Sequence, residues 1–228
     1  MDSSFTMEVA LKELWRPLMR LLELAKKDLR LELKAKSNIS LMLLFSLTAA
    51  FLFSAAIPKP GELFSPLLLI IFFLTGMLGY STSFLKEYDS GTIEGLKASP
   101  LTPQEIIGGK VVFNLCLMLS VQALIFPICY ALFDVEGNFI SAFAAFAVCN
   151  AALSVSITSL SPLLSHSRAR EMLLPVVLFP VIFPLISSTV VIVDNALTGY
   201  LDFFRILFVV AYDGIIATLS MITADRVI

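Results

Sequence analysis

The apolar residues of this chain fall into six long runs divided by short polar blocks, at roughly 38–57, 63–85, 111–133, 139–161, 172–194 and 206–224. A run of about 20 apolar residues, rising 1.5 Å each as a helix, crosses a hydrocarbon core of ~30 Å. The pattern therefore predicts an all-α polytopic membrane protein with six transmembrane helices. The turns Pro58-Lys59-Pro60-Gly61 and Asp134-Val135-Glu136-Gly137-Asn138 are short and predict tight hairpins, whereas the connections 86–110 and 162–171 carry more charge.

Ahead of the first run the period changes. Leu18, Leu22, Ala25, Leu29 and Leu33 recur at spacings of three and four, which places them on one face of a helix. Arg20, Lys26, Lys27, Arg30 and Lys34 occupy the rest of its circumference, and Pro17 suits its first turn. A basic amphipathic helix of this kind is expected to lie along an anionic leaflet, with its polar side also open to a partner. The chain thus divides into an N-terminal segment, 1–37, and a six-span membrane domain, 38–228. No small-residue cleavage site follows the first apolar run, so no cleavable signal is expected.

The loop after span two is the second structured polar segment. Ser90 or Thr92 is placed to cap a short helix that Pro100 ends. Thr102 and Glu105 then have capping-box spacing, with Pro103 in the first turn. This reads as a short helix, a Pro-marked turn and a second helix feeding span three, a rigid element suited to transmitting force from outside the membrane.

Composition and charge sharpen this picture. The chain is 58% hydrophobic and only 15% charged over 228 residues, with mean hydropathy +0.91, too little charge to wet the surface of a soluble domain. Fourteen of its sixteen lysines and arginines lie on one side of the expected topology, eight of them in the first 37 residues; only Lys59 and Arg205 lie opposite. By the positive-inside rule both termini are expected in the cytoplasm.

Candidate chemistry is sparse. Polar residues within spans are few, and Asn114, Gln122, Asn150 and Asp213 are the ones singled out. An ionisable residue at mid-span costs roughly 2.5–3.5 kcal/mol on insertion scales, so Asp213 is either functional or held by an interhelical hydrogen bond. Pro175, Pro180 and Pro184 each remove a helical hydrogen bond, which predicts a kinked fifth span. The aromatic segment 195–205 either lies in the outer interface, dips back as short helices, or forms an ordinary aromatic belt. Cys116, Cys129 and Cys149 lie inside spans at a spacing that fits neither a metal nor a redox pair. His166, the single histidine, is expected in a solvated loop rather than on haem, and the methionines form no axial pair. Gly108-Gly109-Lys110-Val111 lacks the spacing and the hydroxyl of a phosphate-binding loop, so the chain is not expected to bind ATP by that route. No catalytic set is evident, and no nucleic-acid partner is expected.

Several stretches resemble the CcmB family, the haem exporter protein B subunit of cytochrome c maturation, within the type-2 ABC permeases. They are Leu24-Ala25-Lys26-Lys27-Asp28-Leu29-Arg30-Leu31-Glu32-Leu33-Lys34; Glu87-Tyr88-Asp89-Ser90-Gly91-Thr92-Ile93-Glu94-Gly95-Leu96 followed by Ser99-Pro100 and Gly109-Lys110; and Leu173-Leu174-Pro175 through Pro180 and Pro184, behind the loop with Arg168 and Arg170. The acidic-Gly-Thr-x-Glu-x-Leu stretch is shared widely among type-2 permeases, whereas the proline-rich fifth span and compact length favour CcmB.

The resemblance implies a non-catalytic inner-membrane subunit of a prokaryotic cell that relies on a separate ATP-binding-cassette ATPase, CcmA in this family. Glu87, Asp89, Gly91, Thr92, Glu94, Gly95 and Leu96 would then belong to the cytoplasmic coupling helix that docks on the ATPase, and Leu18, Leu22, Leu29, Arg30 and Leu33 to the interfacial helix. It implies haem as the handled ligand with no cofactor bound directly, and either haem export or release of a haem-loaded chaperone (CcmE) beside a haem-handling membrane partner (CcmC). Six spans are half of the usual twelve-span ABC core, so a homodimer is the economical assembly. The rival readings are a type-2 permease for a drug or lipid and a non-transporting scaffold.

Overall fold

A computed structural model describes residues 19–34, 36–89, 101–160 and 170–227, and every regular element in them is helical. Helix α1 covers 19–34. The spans follow as α2 (Ser37–Ala56), α3 (Phe64–Asp89, entered through a 3-10 turn at Pro60–Leu63), α4 (Pro103–Leu132), α5 (Phe139–Leu160), α6 (Arg170–Leu197) and α7 (Phe203–Val227). Six of these helices are long and apolar enough to cross a membrane, which makes this a multi-pass membrane protein.

Helix α5 is the hub, packed against α3, α4, α6 and α7. Many of its inward residues are small (Ala142, Ala145, Cys149, Ala152, Ser156), which lets neighbouring backbones approach closely. Bulk comes from the aromatic cluster at the end of α4, where Phe126 stands 5.8 Å from Phe146 and 5.6 Å from Phe64 between ring centroids. Helices α2 and α7 lie at the periphery and turn Leu44, Phe51, Leu52, Ile215, Leu219 and Ile222 outward, as lipid-facing spans do.

The hairpin loops are pinned by backbone contacts. The amide of Asn138 donates to the carbonyl of Leu197 at 2.8 Å, tying the α4–α5 turn to the end of α6. Gly137 makes this possible with φ 141°, and a Cβ there would lie 2.6 Å from the Leu197 oxygen.

The fifth span is one continuous α-helix from Arg170 to Leu197, so Pro175, Pro180 and Pro184 do not break it. Pro184 leaves the Pro180 carbonyl without its helical donor; at the next residue the Val181 carbonyl accepts from the Tyr212 hydroxyl of α7 at 2.8 Å, which ties α6 to α7 beside the prolines. The segment 195–205 forms no re-entrant helices, because α6 and α7 consume most of it. The chain reverses at Gly199 (φ 85°), and Asp202 starts α7 by accepting from the Arg205 amide at 3.1 Å. Tyr200, Phe203 and Phe204 stay exposed, the arrangement of an aromatic belt.

Candidate functional site

Many of the chain's charged residues meet the spans at the end of the bundle where α1 leads into α2, where α3 reaches Asp89 and where α4 begins. Helix α4 starts with the expected capping box: the Glu105 amide donates to Thr102 Oγ1 at 3.3 Å, and the Thr102 amide donates to Glu105 Oε2 at 2.8 Å. Pro103 costs nothing at the first helical position, where its missing N–H would have no partner. Glu105 also places a negative charge at the positive end of the helix dipole. At 30 residues, α4 is ~45 Å long and overruns a ~30 Å hydrocarbon core.

Helix α1 is strapped across this overrun. Leu24 and Ala25 are buried, with Ala25 packed among Phe113, Leu117 and Leu29. Gly108 and Gly109 leave room for the strap: a Cβ on Gly109 would lie 2.7 Å from Leu24 Cδ2, and one on Gly108 would collide with Leu21. Beside them Lys110 Nζ lies 2.9 Å from Asp28 Oδ2, with both side chains almost fully buried. Arg20 approaches Glu105 at 3.9 Å.

The same strap fixes the start of α2. Lys36 turns the chain with φ 54°, and Glu32 Oε1 accepts from the amides of Asn38 (2.6 Å) and Ile39 (3.2 Å). Those amides are among the donors that a helix N-terminus leaves unsatisfied. One turn of α1 thus clamps α4 through Asp28 and caps α2 through Glu32, making the three helices a single mechanical unit.

The predicted interfacial residues divide. Leu22, Arg30 and Leu33 are exposed, Leu29 is half-buried, and the face turned into the protein is Leu24, Ala25, Asp28 and Glu32, which overlaps the stripe at Ala25. Glu87 and Asp89 belong to the last described turns of α3. Leu18, Gly91, Thr92, Glu94, Gly95 and Leu96 lie outside the described residues, as does His166. The four buried charges of the joint, Asp28, Glu32, Glu105 and Lys110, were not singled out as a group from the sequence. A Gly-Gly-Lys step on one helix and acids at i and i+4 on another, Asp28 and Glu32, were the available signal.

Deeper in the bundle, Asn114 Nδ2 donates to Thr158 Oγ1 at 2.8 Å, and Asn150 Nδ2 donates to Gln122 Oε1 at 2.9 Å. Asp213, half-buried on α7, accepts from the Ser156 hydroxyl at 2.7 Å. Pro180 is exposed and Pro184 half-buried on the outward side of α6, and Pro175 lies near its start. The three polar pairs hold helices together at separate places. Among the described residues no three His, Cys, Asp or Glu side chains come together as a metal site.

A family model described as CcmB protein matches residues 19–224, from the first turn of α1 to the last turns of α7. The chain belongs to the CcmB family. No curated protein matches the sequence. As a CcmB protein it is an ABC permease-type membrane subunit of a haem-export system, in cytochrome c biogenesis. The family match begins at the joint, so the α1 strap belongs to the part of the chain that this CcmB protein shares with its family.

Proposed function

We propose that this CcmB protein is the non-catalytic half of an ATP-driven machine. As a homodimer, it pairs with two copies of a separate ATPase, with both termini in the cytoplasm of a prokaryotic cell and the membrane domain in the inner membrane. Segment 90–98 docks on the ATPase, with Glu87 and Asp89 leading into it and Gly91, Thr92, Glu94, Gly95 and Leu96 forming the contact. ATP hydrolysis at the partner drives haem export or the release of a haem-loaded chaperone, with a CcmC-like membrane protein and a CcmE-like chaperone as further partners. No cofactor is bound directly, and haem is handled without a ligand from His166.

The observation that carries this reading is the joint. The proposed docking segment sits between the end of α3 and the capped start of α4, and the first turns of α4 are bound to α1 and, through Glu32, to α2. A push on 90–98 would therefore reach three helices together instead of bending one.

Co-purification of the full chain with its cognate ATPase tests the docking. Glu94→Lys and Gly91→Pro are each expected to abolish it while the membrane domain still elutes as a folded species; intact binding in both variants would reject the assignment. Reconstituted vesicles separate the two outputs. ATP-dependent haem movement supports export, and chaperone release without it supports the scaffold. A permease for a drug or lipid would instead move that substrate and leave haem and chaperone untouched.

A further inference from the structure

Helix α1 has three faces, and two are accounted for. One is the strap onto α4 formed by Leu24, Ala25, Asp28 and Glu32, and the second is the exposed apolar edge of Met19, Leu22 and Leu33. The third is a shallow groove lined by Glu23, Lys26, Lys27, Arg30, Leu31 and Lys34. Four cations face one carboxylate there. Lys27 leans toward Asp28 at 3.6 Å, but no ion pair engages Lys26, Arg30 or Lys34 among the described residues.

Like charges on neighbouring turns of a helix repel, so counter-charge supplied from outside stabilises such a row. The adjoining apolar edge tells where. An exposed Met19-Leu22-Leu33 edge beside a membrane domain is buried at the headgroup–acyl boundary, which sets the basic groove at phosphate level.

We propose that this groove is a binding site for anionic phospholipid headgroups. Arg30, with its planar fork, pairs with one phosphate in two-point fashion, while Lys26 and Lys34, one turn to either side, hold it as point charges. Leu31 provides an apolar wall. Because α1 is locked to α4 by the Asp28–Lys110 pair, an occupied groove also anchors the start of α4 against the leaflet. The inference rests on α1 lying at the membrane surface and not on the ATPase pairing.

The test uses the full-length protein in phosphatidylcholine bilayers with trace spin-labelled phosphatidylglycerol or spin-labelled phosphatidylcholine, read as the motionally restricted fraction. The expected result is a preference for phosphatidylglycerol of about fivefold, the attraction of about one surface cation. It should collapse in Lys26→Gln/Arg30→Gln/Lys34→Gln and persist in Lys59→Gln at the opposite end. Equal association of both lipids, or an undiminished preference in the triple variant, would overturn the proposal. Should that variant not fold, the salt series on the unmodified protein decides: the preference must fall as ionic strength rises to 1 M. Inorganic phosphate at matched ionic strength should displace the lipid no better than chloride. Specific displacement by it would show a free-anion site and reject the lipid.

Discussion

The ammonium of Lys110 lies 2.9 Å from the carboxylate of Asp28, and both side chains are buried where α1 crosses α4. Such a pair adds little net stability compared with an apolar pair of the same shape, but removing one member strands the other. Asp28→Asn is therefore expected to destabilise the protein by about 3 kcal/mol, and Lys110→Met by a similar amount. The double variant Asp28→Leu/Lys110→Met should recover most of the loss. Denaturation midpoints in detergent for the three variants check this; a double variant as unstable as the sum of the singles would show that the pair acts independently.

Much of this architecture was legible in the sequence, and the reasons are physical. A bilayer demands about 20 apolar residues per helix, so the six spans stood out by length alone. The Thr102–Glu105 capping box was readable because it is local, its partners lying three residues apart. The joint was not. Its contacts link residues 28 and 110, or 24 and 109, and nothing in the linear pattern separates a buried Asp28 from the solvated charges around it. Periodicity reports an apolar face, and it does not show that α1 also turns an adjoining face, with two acids, into the protein.

The glycine pair predicts a steric coupling. A Cβ on Gly109 would press to 2.7 Å of Leu24 Cδ2 and 3.2 Å of Leu24 Cβ. Overpacking of this kind typically costs 1–3 kcal/mol, so Gly109→Val should cost about 2 kcal/mol and lift α1 off α4. Limited trypsin digestion at Lys26 and Lys27 reads the lifting directly. Adding Leu24→Ala should slow the cleavage again; unchanged cleavage in the double variant would place the clash elsewhere.

Gly137 answers a different constraint. Its φ of 141° is strained for any L side chain, and a Cβ there would lie 2.6 Å from the Leu197 carbonyl oxygen that the Asn138 amide bonds. Gly137→Ala is expected to cost about 2 kcal/mol, with the α4–α5 turn released from α6. A cysteine pair placed at Asn138 and Leu197 in a background lacking native cysteines should cross-link in the parent and markedly less in the alanine variant. Equal cross-linking would mean that the turn adapts without separating.

The last prediction concerns the α4–α5 register. Asn114, Met118 and Gln122 follow one another by four residues along α4, and Asn150, Ser154 and Thr158 do the same in opposite order along α5. The outer members bond side chain to side chain, Asn114 to Thr158 and Gln122 to Asn150, while Asn150 also donates to the Met118 carbonyl at 3.2 Å. In a bilayer such bonds are worth about 0.6 kcal/mol on average and at most about 1.7. Asn150 makes two of them, so Asn150→Ala should cost between about 1 and 2 kcal/mol. Ser154 stands in the same row, yet its hydroxyl is buried without a partner among the described residues. A buried hydroxyl that forms no bond is a liability, and Ser154→Ala should leave the protein no less stable than before. Unfolding of both variants in detergent decides between a row whose members matter by their bonds and one whose members matter by position alone: in the second case the two alanines would cost the same.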